Sequence, residues 1–174
     1  MKPNKINNFI TKRERTALVK WAYSNSKNMT INSNGPFRQY CRIRNSKNNK
    51  LALTIEDRIS DKFSLKKRGL IEEPILGSIL SVINPGGFVH RHTDEGGPQY
   101  RFNLMVQLPT TGGAPTYDED DLPVSVKERD LLCYRPDLFF HGTTTVEGEK
   151  DRIIISYGWL KHNFFAAEIP STIQ

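Results

Sequence analysis

From residue 75 onward the sequence breaks into short apolar segments rich in β-branched residues, at 75–83, 88–92, 101–107, 124–126, 131–134 and 152–159. Turn-forming clusters separate them: Pro85-Gly86-Gly87, Gly96-Gly97-Pro98 and Gly112-Gly113-Ala114-Pro115. Each segment is strand-length, and no long helical pattern stands between one and the next. Strands in such close succession pair antiparallel, as a barrel or a sandwich. The expected architecture is mainly β with N-terminal helices. A helical and loop-like support layer over residues 1–74 packs on a double-stranded β-helix, a cupin-like jelly roll, over 75–160.

The N-terminal part reads differently. In residues 11–25, Leu18, Trp21 and Ala22 recur at helical spacing behind Thr11, with Glu14 three positions on. That is a capping box opening an amphipathic helix. Residues 28–50 are rich in Asn, Ser and Lys, with a strand expected at 37–43. A second, short helix is expected at 55–65, ending near Lys66-Lys67-Arg68-Gly69.

A chain of 174 residues is long enough for one well-buried core, and the sequence reads as a single domain. It has no run of about 18 apolar residues, so no transmembrane helix is expected. Its first residues lack a secretory apolar stretch, which points to a cytoplasmic protein with Cys41 and Cys133 reduced. The net charge of +6 is unevenly spread. Residues 1–70 carry 17 Lys and Arg against 4 Asp and Glu, whereas 71–174 carry 8 against 15. A basic half means either an anionic partner or a solvated helical cap.

The chemistry concentrates in His92-Thr93-Asp94 and His141. On an extended chain, residues two apart point the same way, so His92 and Asp94 can grip one ion. A second histidine from another strand completes a facial triad that holds non-heme Fe(II) and leaves positions open for a co-substrate and O₂. His90 shares that face, but only His92 stands two residues from the carboxylate, so His90 is read as a core or rim residue. His162 is read as exposed. Arg152 opens an otherwise apolar strand, Ile153-Ile154-Ile155, where a charge needs an anionic partner. The planar fork of arginine meets a carboxylate bidentately, and Ser156 follows on the same face.

Residues 81–160 resemble the 2-oxoglutarate/Fe(II)-dependent oxygenase superfamily. Residues 101–109 (RFNLMVQLP) and the stretch from Asp130 to His141, followed by Asp151-Arg152-Ile153-Ile154-Ile155, are similar to the aspartyl/asparaginyl β-hydroxylase branch. That branch often has Gly at the carboxylate position, so Asp94 departs towards the full triad of prolyl hydroxylases. The resemblance implies Fe(II), 2-oxoglutarate and O₂ as cofactor and co-substrates. It makes Arg152, eleven residues past His141, the clamp for the far carboxylate of 2-oxoglutarate. It also maps Ser81, Arg101 and Asn103 to further co-substrate contacts. The implied reaction hydroxylates an amino-acid side chain, free or in a peptide or protein, and releases succinate and CO₂.

Two other classes fit parts of the sequence. An oxygenase acting on nucleic acid would use the basic half, but no binding motif accompanies that charge and the acidic half opposes it. A non-oxygenase cupin-like metal-binding domain would share the barrel, yet leaves Arg152 unexplained. The acidic stretch at 116–121 lacks the spacing of a Ca²⁺ loop and reads as a solvated turn or a substrate-facing lid. Tyr134, Phe139, Phe140 and Trp159 flank the site segments, mostly as core.

Overall fold

The structure, a computed structural model, describes residues 3–94, 99–117 and 122–161. The expected readings of His162, of the turn at 96–98 and of Asp118–Asp121 lie outside those residues. Among the described residues the chain runs β1 (Asn4–Ile6), α1 (Lys12–Ser24), β2 (Thr30–Ile31), β3 (Arg38–Arg42), α2 (Lys50–Lys62), β4 (Leu70–Glu72) and β5 (Ile79–Ile83). It continues through β6 (Gln99–Gln107), β7 (Thr111–Gly112), β8 (Pro115–Tyr117), β9 (Leu122–Pro123), β10 (Leu131–Tyr134), β11 (His141–Thr143), β12 (Val146–Glu147) and β13 (Arg152–Lys161). Among the described residues no helix is long and apolar enough to cross a membrane.

The large sheet has the order β1-β10-β6-β13-β5-β3-β2, with β4 also pairing β13. A smaller sheet, β11-β8-β9, and the pair β12-β7 make the second layer. The register sorts the side chains of the large sheet by parity. Ile153, Ile155, Tyr157 and Trp159 of β13 join Phe102, Leu104 and Val106 of β6, and Leu80 and Val82 of β5, in one cluster. Leu18, Trp21, Ala22, Ala52, Ile55 and Ile59 of the two helices close that cluster from outside. Alternate residues turn inward, where Met105, Leu132, Tyr134 and Ile154 pack on Tyr117 of the smaller sheet. Because both faces are covered, β13 reads as a continuous apolar run. Burying Ile153 or Ile155, each fully inaccessible, contributes about 1.5–3 kcal/mol. One face of the large sheet thus holds the molecule together, and the other is available to line a cavity.

Helix α1 starts as expected. The Glu14 amide donates to Thr11 Oγ1 at 3.1 Å and the Thr11 amide donates to Glu14 Oε2 at 2.8 Å. Helix α2 begins at Lys50 rather than at residue 55. Its apolar stripe already includes Ala52, and Asn49, whose side chain donates to the Ile43 carbonyl instead of capping, precedes it. The N-terminal part is also more than a helical and loop-like layer, since β1, β2, β3 and β4 all join the large sheet.

Three strand expectations are corrected. Residues 75–78 are not strand, because the Glu73 carboxylate gathers the amides of Ile75, Leu76 and Gly77 into a turn. Residues 124–126 are likewise outside any strand, and β9 ends at Pro123. Residues 88–92 form no strand beyond a single bridge between His92 and His141. In the acidic stretch, Thr116 and Tyr117 are buried in β8 rather than in a solvated turn.

Glu14 offers a test of this layer. Its hydrogen bond with Arg58, at 2.6 Å, outweighs partial burial and, with the Thr11 cap, holds its carboxyl down to about 2 from an ordinary value of 4.5. A lowered carboxyl stabilises the fold above the unfolded value, and that contribution is lost as pH falls from about 4.5 towards 2. Glu14→Ala is expected to cost about 1–2 kcal/mol at neutral pH, combining the lost cap with a half-exposed ion pair. Thermal unfolding across pH should show the gap to the parent protein closing on acidification. A gap that stays constant would contradict the assignment.

Candidate metal and co-substrate site

The inner face and the smaller sheet enclose a cavity whose wall includes His92, Asp94, His141, Arg101, Asn103, Arg152 and Ser156. His92, Asp94 and His141 stand together, each offering a ligand atom within 4.8 Å of the others. Asp94 Oδ1 lies 3.3 Å from His92 Nε2 and 3.7 Å from His141 Nε2. The backbone fixes the two histidines opposite each other. The His92 amide donates to the His141 carbonyl at 3.0 Å, and the His141 amide donates back at 2.8 Å. Asp94 is tied separately, its amide donating to the Pro136 carbonyl at 2.9 Å. Segment 88–94 therefore shares its hydrogen bonds among Asn34, Thr143, His141 and Pro136. Gly142 permits the approach, because a Cβ there would lie 2.9 Å from the Val89 carbonyl oxygen.

Each histidine also has its tautomer set. His92 Nδ1 faces the His90 carbonyl at 2.7 Å and His141 Nδ1 faces the Phe139 carbonyl at 3.3 Å. A carbonyl only accepts, so Nδ1 carries a hydrogen, and in the neutral ring the Nε2 lone pair is left for a metal. This is the arrangement by which outer partners orient metal-binding imidazoles. Burial pushes the His141 imidazole down to about 4, keeping it neutral. A protonated His92 donates its Nε2 hydrogen to Asp94, and that hydrogen bond raises the His92 imidazole above its ordinary value. Burial acts to raise the Asp94 carboxyl, but His92, His141 and Arg101 together hold it below its ordinary value. His90 itself is exposed and stands outside the cluster.

Behind the cluster, Arg152 is 2% exposed at the start of β13. Its Nε has no hydrogen-bond partner among the described residues. Burial pushes the guanidinium down to about 10, a fall that nearby Tyr117 opposes. The Asn103 side chain donates to Tyr134 Oη at 3.3 Å, while its Oδ1 has no partner among the described residues. Ser156 is buried on the same face as Arg152 and Ile154. Ser81 is also buried, and its hydroxyl accepts from Arg38 Nε at 3.2 Å.

Arg101 spends two of its N–H donors on hydrogen bonds within the protein. Nη1 donates to the Gly77 carbonyl at 2.8 Å, Nη2 pairs with Glu73 at 3.1 Å, and Nε stands 3.8 Å from Asp94 Oδ2. Other N–H donors remain on the guanidinium, so the expected 2-oxoglutarate contact stays a proposal for Arg101. It lies flat over Gly158, where a Cβ would come within 2.8 Å of both Arg101 Cζ and the Gly77 carbonyl oxygen. Gly158→Ala is therefore expected to lever Arg101 away from Glu73 and cost about 1–3 kcal/mol, the penalty of buried polar groups left unsatisfied. Denaturant unfolding checks this, and parental stability would contradict it.

Arg38 and Glu73 were not legible as site residues. Arg38, in the strand expected at 37–43, lines the cavity. Glu73 pairs with Arg101 from the turn before β5. A basic residue alternating with Tyr40 on an otherwise short strand was the one available signal for Arg38.

No protein-family model matches the sequence, and a search of curated proteins finds no match. Solved structures do resemble it. A viral collagen prolyl hydroxylase from Paramecium bursaria Chlorella virus-1, in complex with 2-oxoglutarate, has a TM-score of 0.70 at 12% identity over 91% of this chain and 96% of that one. A prolyl hydroxylase from Trichoplax adhaerens, bound to a hypoxia inducible factor peptide fragment, gives 0.72 at 14% over 97% and 87%. HygX from Streptomyces hygroscopicus, with nickel and 2-oxoglutarate bound, gives 0.69 at 11% over 92% and 83%. The chain has the fold of the 2-oxoglutarate/Fe(II)-dependent oxygenases.

Proposed function

We propose that the protein is a non-heme Fe(II), 2-oxoglutarate-dependent dioxygenase that hydroxylates an amino-acid side chain, free or within a peptide. The observation that carries this reading is the pairing of the His92–Asp94–His141 cluster with a buried arginine, Arg152, on the same inner face, whose Nε has no partner among the described residues. The donor set suits a first-row divalent metal, two neutral imidazoles and one carboxylate with open positions. The buried arginine suits a carboxylate that arrives with the co-substrate, since an isolated buried charge is costly until paired. Bound Fe(II) and 2-oxoglutarate supply the oxidising chemistry, consuming O₂ and giving succinate and CO₂.

The chain's own residues do the rest. His92, Asp94 and His141 hold the metal, and the His90 and Phe139 carbonyls keep both imidazoles in the ligating tautomer. Arg152 fixes the C5 carboxylate, with Ser156 and Asn103 beside it. The inner apolar surface of Ile154, Tyr117 and Tyr134 excludes water from the reacting carbon. An amino-acid substrate is favoured by the strand resemblance and by the prolyl hydroxylases among the similar folds. Incubation of the Fe(II)-loaded protein with 2-oxoglutarate, O₂ and a panel of amino acids and peptides tests this by mass spectrometry. The expected outcome is a gain of one oxygen matched by succinate. Turnover confined to DNA or RNA, collapsing between low and moderate salt, would overturn the substrate assignment.

A further inference from the structure

Among the described residues, the cavity wall holds one positive charge more than the proposed chemistry uses. Arg38 enters it from β3, and the register sets Arg38 opposite Ile83, which in turn lies opposite Arg152. The two arginines therefore occupy one cross-strand row, and with strands spaced about 4.8 Å apart their backbones are about 10 Å from each other. Arg152 is at the buried floor, while Arg38 is half-buried on the side where Asn32 and Asn34 line the cavity. Ser81 takes only the Nε of Arg38, and among the described residues no carboxylate comes within ion-pair distance of its guanidinium. Burial pushes that guanidinium down, Arg101 adds to the fall, and Tyr134 and Asp94 oppose it without contact.

Charge balance then points outward. Arg101 is matched by Glu73. A divalent metal, the Asp94 carboxylate, doubly anionic 2-oxoglutarate and the Arg152 guanidinium neutralise one another. The Arg38 charge is left over, in surroundings where an unpaired ion is costly. We propose that Arg38 anchors a carboxylate of the substrate, so that the molecule oxidised bears one, as a free amino acid or an acidic side chain does. The inference rests on the oxygenase reading above and narrows its substrate class. A carboxylate suits the planar arginine fork. It also suits a cation standing inside the cavity, where a polymer's outward-facing phosphates reach less readily.

The test reads binding rather than turnover. Protein loaded with Mn(II) and 2-oxoglutarate is titrated calorimetrically with the twenty L-amino acids and with their N-acetyl amides, of which only the aspartate and glutamate derivatives keep a carboxylate. Binding is expected to be confined to members bearing a carboxylate, at least tenfold tighter than to those lacking one. Arg38→Gln should erase that preference while changing 2-oxoglutarate affinity by less than about twofold, and Arg38→Lys should restore part of it. Arg152→Gln should do the reverse, weakening 2-oxoglutarate. A tenfold loss of 2-oxoglutarate affinity in Arg38→Gln would overturn the proposal, placing Arg38 in the co-substrate clamp. Equal binding of carboxylates and amides, no binding across the panel, or preferential binding of a thymidylate dinucleotide would overturn it too, and all three leave the oxygenase reading standing. Failure of the parent protein to bind 2-oxoglutarate at all would overturn both.

Discussion

Replacing Arg152 is expected to move stability and binding in opposite directions. In the protein without 2-oxoglutarate, Arg152 is a fully buried cation whose Nε is unsatisfied and whose guanidinium is pushed down to about 10 by burial. An apolar side chain of similar length removes that desolvation penalty, so Arg152→Met should raise stability by about 1–3 kcal/mol. For a domain of this size that is about 2–12 °C in Tm. The same change should weaken 2-oxoglutarate by roughly 3–5 kcal/mol, the cost of breaking a buried ion pair, or about a hundredfold to a few thousandfold. Arg152→Lys keeps the charge without the fork and should fall between. Calorimetric unfolding and co-substrate titration on one preparation measure both effects. A variant that unfolds early and still binds 2-oxoglutarate normally would make Arg152 a structural residue.

The second large effect concerns the metal. His141→Ala is expected to lower divalent-metal affinity by more than the roughly 10–100-fold that follows loss of an outer hydrogen-bond partner, with the fold retained. Retention is expected because His141 is held to His92 by backbone bonds in both directions, and alanine keeps them. His92→Ala should behave alike. Asp94→Ala should keep some affinity, since two imidazoles remain. Equilibrium dialysis against Mn(II) or Zn(II), with circular dichroism as the control for folding, reads this without relying on turnover. Undiminished metal binding in both histidine variants would remove the cluster from the account.

What the sequence carried and what it withheld follows physical lines. The triad was legible because its spacing is local at one end, His92 to Asp94, and its chemistry is distinctive. Arg152 was legible because a charge at the head of Ile153-Ile154-Ile155 violates the apolar pattern around it. Helix α1 was legible from a capping box closed within four residues, Thr11 to Glu14. The apolar run at 88–92 misled, because a strand needs one continuous partner and this segment divides its hydrogen bonds among four. Residues 75–78 misled for a related reason, a carboxylate at Glu73 that outcompetes the ladder for their amides. The commitment of Arg101 to Glu73 depends on residues 28 apart in sequence and on Gly158 leaving room, so no local pattern announces it. Arg38 belongs to the same class, since its place opposite Arg152 arises only when β3, β5 and β13 are set side by side.

Central to the proposed function is that the metal cluster and Arg152 together form a seat for 2-oxoglutarate. Titration of 2-oxoglutarate into the protein with and without Mn(II), under calorimetry, addresses it most directly. The predicted result is saturable binding at one site per chain, present with the metal, much weakened without it and much weakened again in Arg152→Met. Metal that binds normally while 2-oxoglutarate shows no binding at all would contradict it.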